Sequence, residues 1–122
     1  MAKKIIVHAG FHKTGTTAIQ SSFSAARNEL SKVGITYPEV GGKAHHKAIY
    51  SLMGKTWGWE DRGGVLATDK KWRSFVKQIK RAKSTALVSS EFLCELTEEQ
   101  IVKFKNDLGC SDIKIYFTLR PL

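Results

Sequence analysis

A glycine- and threonine-rich segment near the start of the chain lies between a short apolar run and a stretch with helical periodicity. A glycine-containing turn at the N-terminus of a helix directs several unpaired N–H groups at one point, where the helix dipole adds partial positive charge. Lys13 adds a mobile positive charge, Gly15 allows close approach of the backbone, and the hydroxyls of Thr16 and Thr17 add donors. The segment therefore predicts a binding site for a multiply charged oxyanion.

This segment differs from the loop that binds nucleoside triphosphates, G-x-x-x-x-G-K-[ST]. Gly10 and Gly15 occupy the two glycine positions, and Thr17 occupies the position of the magnesium-binding hydroxyl. Thr16 stands where the lysine is required, and the lysine lies three residues earlier, at Lys13. The displaced lysine argues against phosphoryl transfer from ATP, which needs a lysine that bridges the β- and γ-phosphates. A divergent kinase or ATPase remains the alternative.

The elements around this segment indicate an α/β fold. Apolar runs at residues 5–9, 85–89 and 113–119 predict three strands. Between the strands, apolar residues recur at helical spacing in three stretches: Ile19, Phe23, Ala26, Leu30 and Val33, then residues 44–53, then Trp72, Phe75, Val76, Ile79 and Ala82. Thr97 and Gln100 form a capping-box pattern that opens another helix, and Gly109 ends it. Because strands separated by helices pair in parallel, we expect a three-layer sheet of about three strands with flanking helices.

Composition narrows the class of protein. The 122 residues suffice for one domain, and their formal net charge is +9. This surplus of positive charge suits an anionic ligand, although it does not distinguish a nucleotide from a polymer.

No apolar run approaches the ~20 residues that span a bilayer, and the N-terminal apolar run is too short for a signal peptide, so we expect a cytoplasmic protein without a membrane partner. Cys94 and Cys110 have no second ligand at metal-binding spacing, so no metal site is predicted.

The N-terminal motif resembles that of a known family. The core K-T-G-T-T at Lys13–Thr17, and the longer pattern H-x-G-x-x-K-T-G-T-T-x-I-Q at residues 8–20, are similar to the 5′-phosphosulfate loop of the bacterial branch of PAPS-dependent sulfotransferases, where PAPS is 3′-phosphoadenosine 5′-phosphosulfate. The string S-S-E at residues 89–91 and the strand ending in L-R at residues 116–120 match two further segments of that family in the same order. The resemblance covers nearly the whole chain, but only the first motif is specific.

The resemblance implies a role for each motif. PAPS would be the co-substrate, PAP its product, and a hydroxyl or amine the acceptor, with no metal required. Lys13, Thr14, Gly15, Thr16 and Thr17 would hold the phosphosulfate, and Lys13 would also stabilise the charge that develops as the sulfuryl group leaves. Arg120 would pair with the 3′-phosphate, because a guanidinium contacts such a group through two hydrogen bonds.

The base that removes the proton of the acceptor has two candidates. Glu91 follows a predicted strand directly, where ligands collect in open α/β sheets, and His12 lies within the loop itself. His45 and His46 belong either to the acceptor side of the site or, as we prefer, to an exposed helix face. His8 lies within a strand and is expected to be a core or edge histidine.

The resemblance also predicts how much of the domain these residues contain, and other functions for the chain remain open. In the family, the 3′-phosphate segment continues to a serine several residues beyond its arginine, whereas this chain has two residues after Arg120. We therefore expect residues 1–122 to be the N-terminal portion of a sulfotransferase-like domain, truncated after the third strand, with an open sheet edge through which copies associate. An inactive nucleotide-binding fragment is one alternative. A nucleic-acid-binding module on the basic helix face of residues 70–83 is another, although that face lacks interleaved aromatic residues.

Overall fold

A computed structural model describes residues 2–10, 16–55 and 69–118. Its elements, in chain order, are β1 (Lys4–Gly10), α1 (Thr16–Ala25), α2 (Arg27–Lys32), β2 (Ile35–Thr36), α3 (His46–Met53), α4 (Lys70–Arg81), β3 (Thr85–Ser89), a 3₁₀ helix (Glu91–Glu95), α5 (Glu98–Leu108) and β4 (Ile113–Thr118). Within the described residues the strands form one parallel sheet in the order β2-β3-β1-β4. The α/β class with a parallel sheet and flanking helices is confirmed.

The sheet has four strands in these residues, one more than the three apolar runs predicted. The additional strand, β2, contains only two residues, and its backbone pairs with the start of β3. Two residues are too few to show the alternation of apolar and polar positions by which a strand is recognised in sequence. Only the pairing with the neighbouring strand makes this short segment part of the sheet.

Strand pairing determines which side chains share a face of the sheet. β1 pairs with β3 and with β4, and the register aligns Val7 with Val88 and Ile115, and His8 with Ser89 and Tyr116. Because successive side chains of a strand point to opposite faces, residues aligned with Val7 lie on one face and those aligned with His8 on the other. Different helices cover the two faces of the sheet.

The face that contains Val7 is covered by α3, α4 and α5. The buried residues that these helices contribute are Ala48, Ile49, Leu52, Trp72, Phe75, Ile79, Phe104 and Leu108. Trp72 stacks on Phe75 with ring centroids 5.4 Å apart, and its indole Nε1 donates to Asp107 Oδ2 at 2.7 Å. The apolar stripe predicted for the helix before β3 is therefore confirmed as the main core layer.

The face that contains His8 is covered by α1, whose Phe23 ring contacts the His8 ring edge-on at 5.9 Å. The prediction of one helix through Val33 is wrong, because α1 ends at Ala25 and α2 begins at Arg27. α2 buries none of its residues, and Val33 is 72% exposed. The apolar stripe thus continues into a segment that buries none of its side chains.

The ends of the helices follow local signals. The Thr97 hydroxyl accepts from the N–H of Gln100 at 3.2 Å, the Thr97 N–H donates to the Gln100 side chain at 2.9 Å, and Gly109 ends α5 with a φ of +65°. The capping box and the glycine stop are therefore confirmed. No helix in the described segments is both long enough and apolar enough to cross a bilayer.

Candidate functional site

The carboxyl ends of β1 and β3 lie side by side in the middle of the sheet. The helix that follows β1 in the sequence, α1, covers one face of the sheet, whereas α5, which follows β3, covers the other. Where neighbouring parallel strands send their connections to opposite faces, a crevice opens at their carboxyl ends, and ligands of open α/β sheets bind there. The candidate site is this crevice.

The first pair of side chains at the crevice is His8 and Ser89. His8 Nδ1 lies 2.8 Å from the Ser89 hydroxyl, and both residues are buried. The N–H of Ser90 donates to the His8 carbonyl oxygen at 3.2 Å, which ties the segment after β3 to β1. Burial lowers the pKa of His8. His8 is thus a hydrogen-bonded core histidine, as predicted.

His45 connects the crevice to the loop before α3. The Ser89 N–H donates to His45 Nδ1 at 2.9 Å, so the ring proton resides on Nε2, which donates to the Pro38 carbonyl oxygen at 2.8 Å. The ring is 1% exposed, and burial lowers its pKa to about 4, which keeps the ring neutral. The preferred prediction of an exposed helix face is therefore wrong for His45. Its ring is buried because its two hydrogen bonds hold it between Pro38 and Ser89, which lie far apart in the sequence.

His46 and Ser90 form the next pair. His46 Nδ1 lies 2.8 Å from the Ser90 hydroxyl, which also accepts from the N–H of Phe92 at 3.2 Å and so caps the 3₁₀ helix. The edge of the His46 ring contacts the Phe92 ring at 4.8 Å. The half-buried His46 therefore lies against the segment that carries Glu91.

Glu91 is the first residue of the 3₁₀ helix and is half-buried. It comes directly after the two serines that contact the histidines. Its backbone therefore lies at the carboxyl edge of the sheet, where the sequence predicted it. Its role as a base stays a prediction.

The other predicted site residues fall around the same edge. Thr16 and Thr17 are the first two residues of α1. The register aligns Thr118, the last residue of β4, with Gly10, so the chain runs towards Arg120 from a point beside the start of the loop. His12, Lys13, Thr14, Gly15 and Arg120 lie outside the described residues. The structure therefore describes the strands and the helix next to these five residues, but not the five residues themselves.

Sequence reasoning missed Gln20, which lies one turn before Phe23 on the inner side of α1. Gln20 is 3% exposed, and within the described part of the chain its Nε2 has no hydrogen-bond partner. A buried amide without a partner costs about 1–3 kcal/mol. The signal available in the sequence was a polar residue three positions before Phe23, on the same side of the helix.

Sequence reasoning also undervalued Ser89 and Ser90, because a pair of serines is common. The two serines matter because β3 is buried and ends at the crevice, so that each hydroxyl contacts a histidine from another element.

Comparison of the chain with protein-family models, curated protein sequences and solved structures finds no match. The function is therefore argued from the residues and the geometry.

Proposed function

We propose that this protein transfers a sulfuryl group from PAPS to a hydroxyl or amine acceptor. The observation that carries the proposal is that the K-T-G-T-T signature lies in the sequence between two elements of the sheet's central part. The signature follows β1, which ends beside β3, and its last two residues begin α1. A loop that precedes a helix at such a crevice is suited to an anion, and the displaced Lys13 favours a phosphosulfate over a magnesium-bound triphosphate.

The donor side of the site uses the residues of the signature. Lys13, Thr14, Gly15, Thr16 and Thr17 hold the 5′-phosphosulfate through ammonium, hydroxyl and backbone N–H donors. Arg120 pairs with the 3′-phosphate. The charge of Lys13 also stabilises the bridging oxygen as negative charge develops on it.

The transfer itself is a displacement at sulfur. The acceptor oxygen or nitrogen forms the new bond to sulfur, the bond from sulfur to the bridging oxygen breaks, and PAP leaves with the electron pair. Glu91 takes the proton of the acceptor, with His12 as the other candidate base. No metal is needed for these steps, and we expect the reaction to take place in the cytoplasm.

Binding of the donor nucleotide tests the proposal. Calorimetry should show that PAP binds more tightly than ATP with Mg²⁺, and Lys13→Ala should weaken PAP binding by about 1.5–3 kcal/mol, the range for a hydrogen bond to a charged group. Lys83→Ala is the matched control, because it removes the same charge from the turn before β3, at the opposite edge of the sheet. Preference for ATP with Mg²⁺ would support the kinase alternative instead, and equal effects of the two lysine changes would remove the main support for the proposed donor site.

A further inference from the structure

Two lysines converge on a glycine turn beside the crevice. Gly41 and Gly42 lie in the loop between β2 and α3, with φ angles of +93° and +81°. A Cβ atom placed on Gly41 would lie 3.0 Å from Lys47 Nζ and 3.6 Å from Lys71 Nζ. The two ammonium groups, one from α3 and one from α4, therefore lie closer together than the screening length of about 8 Å in physiological salt.

Among the described residues, no acidic group compensates these two charges, because neither Lys47 nor Lys71 forms an ion pair there. The carboxylates nearest in sequence to the turn and to Lys71 are Glu39 and Asp69, and both are engaged elsewhere. Glu39 pairs with Arg27 at 3.0 Å and accepts from the Gly41 N–H at 2.8 Å, and Asp69 pairs with Arg73 at 3.0 Å. Two like charges that approach each other without a counter-charge repel, and an anion between them removes that repulsion.

The turn also offers hydrogen-bond donors. The backbone N–H groups of Gly42 and Lys43 make no hydrogen bond in the described structure. Gly42 has open space where a Cβ would be, whereas the space beside Gly41 is occupied by the lysine side chains. Ammonium groups and unbonded N–H groups together match the acceptor oxygens of a carboxylate, phosphate or sulfate.

The turn lies on the same edge of the sheet as the candidate site. The residue before α3, His45, donates its N–H to the carbonyl oxygen of Ser89 at 2.9 Å, and Lys47 is the second residue of α3. We propose that Lys47, Lys71 and the Gly41–Gly42 turn bind an anionic group of the acceptor substrate. The anion site stands on this geometry alone, whereas its assignment to the acceptor rests on the proposed function.

Inorganic sulfate is the probe that tests the site. Sulfate replaces chloride at constant ionic strength, with and without saturating PAP, while the amide resonances of Gly42 and Lys43 are followed by NMR. We expect saturable shifts that persist with PAP, and a loss of sulfate affinity of about tenfold in Lys47→Met and in Lys71→Met, as for one charged hydrogen bond. Lys83→Met, which removes the same charge at the opposite edge, should change the affinity less than twofold.

A glycine pair provides a second test that keeps both lysines. Gly41→Ala and Gly42→Ala impose the same strain of a positive φ, but only the methyl group at Gly41 enters the space next to the ammonium groups. Sulfate affinity should therefore fall severalfold more in Gly41→Ala than in Gly42→Ala.

The outcomes separate the two proposals. Shifts that do not saturate, or that are equal in Lys47→Met and Lys83→Met, would overturn the anion site even if PAP binds as proposed. Displacement of sulfate from Gly42 by PAP would assign the lysines to the nucleotide and overturn the acceptor role. If PAP fails to bind while sulfate still saturates Gly42, the anion site stands and the proposed function falls.

Discussion

At the scale of single residues, the histidines of the crevice illustrate how surroundings decide chemistry. His45 and His46 are neighbours in sequence, yet His45 is enclosed by the Ser89 N–H and the Pro38 carbonyl, whereas His46 is half-buried against Ser90. The enclosed ring has both nitrogens bonded in one tautomer, so it is a positioning residue that holds the end of β3. A proton added to Nδ1 would break the bond from Ser89.

The low pKa of His45 predicts a specific pH dependence of stability. Its pKa is lowered by burial from 6.5 to about 4, so between these values the unfolded chain binds more protons than the folded one. The contribution of His45 to the free energy of unfolding is thus fully present above pH 6.5 and is lost as pH falls towards 4, by up to about 3 kcal/mol.

Urea unfolding measured across this pH range should show that the free energy of unfolding declines in the native chain, and that its pH slope is smaller in His45→Gln. His46→Gln should keep the native slope; a native slope in His45→Gln would show that the ring is not held neutral.

At the scale of elements, the 3₁₀ helix after β3 begins with a glutamate at the carboxyl end of that strand. Ser90 caps this helix and binds His46, so the first residue of the helix, Glu91, is held at the strand end, while Glu95 at the other end is exposed. The string S-S-E has little specificity in the sequence, but the capped 3₁₀ helix gives Glu91 a defined place at the end of β3.

This position predicts different effects for the two glutamates. If Glu91 is the base, Glu91→Gln should lower the kcat of PAP release from PAPS by a factor of about 10²–10⁴ and leave the affinity for PAP unchanged. Glu95→Gln makes the same change in charge at the far end of the same helix and should keep kcat within about twofold. Should His12→Ala abolish turnover while Glu91→Gln leaves it intact, the base is the histidine of the loop.

At the scale of the whole molecule, the described sheet has one apolar edge. β4 is terminal in the strand order, and Ile115, Tyr116 and Phe117 are each more than half exposed. Ile115 and Phe117 also line a groove of about 670 Å³ against α5, together with Val7 and Ile101. An exposed apolar strand with unpaired backbone groups is a template for pairing with another strand.

We therefore expect the chain to self-associate through β4. Light scattering should show a mass that rises with protein concentration in the micromolar range. Ile115→Lys should raise the apparent dissociation constant at least about tenfold, because a charge on the edge strand opposes pairing. Val102→Lys on α5 is the control, since Val102 is similarly exposed but belongs neither to the edge strand nor to the lining of the groove. A chain that stays monomeric at the highest concentration would remove this expectation.

Features that depend on neighbouring residues could be predicted from the amino-acid sequence alone. The apolar runs predicted β1, β3 and β4, and the Thr97–Gln100 pattern predicted the start of α5. The oxyanion loop after β1 stays a prediction, because residues 11–15 lie outside the described residues. These signals are local, because strand alternation, helix capping and turn geometry each involve residues within one or two turns of one another.

Which distant residues meet depends on tertiary packing instead. The pairing of β2 with β3, the burial of His45 between Pro38 and Ser89, and the convergence of Lys47 and Lys71 on Gly41 all join segments that are separated by many residues. The apolar stripe likewise did not reveal that α2 is a separate helix that buries none of its residues. A sequence pattern states what each segment prefers alone, whereas burial, hydrogen-bond partners and the approach of charges depend on how the segments pack together.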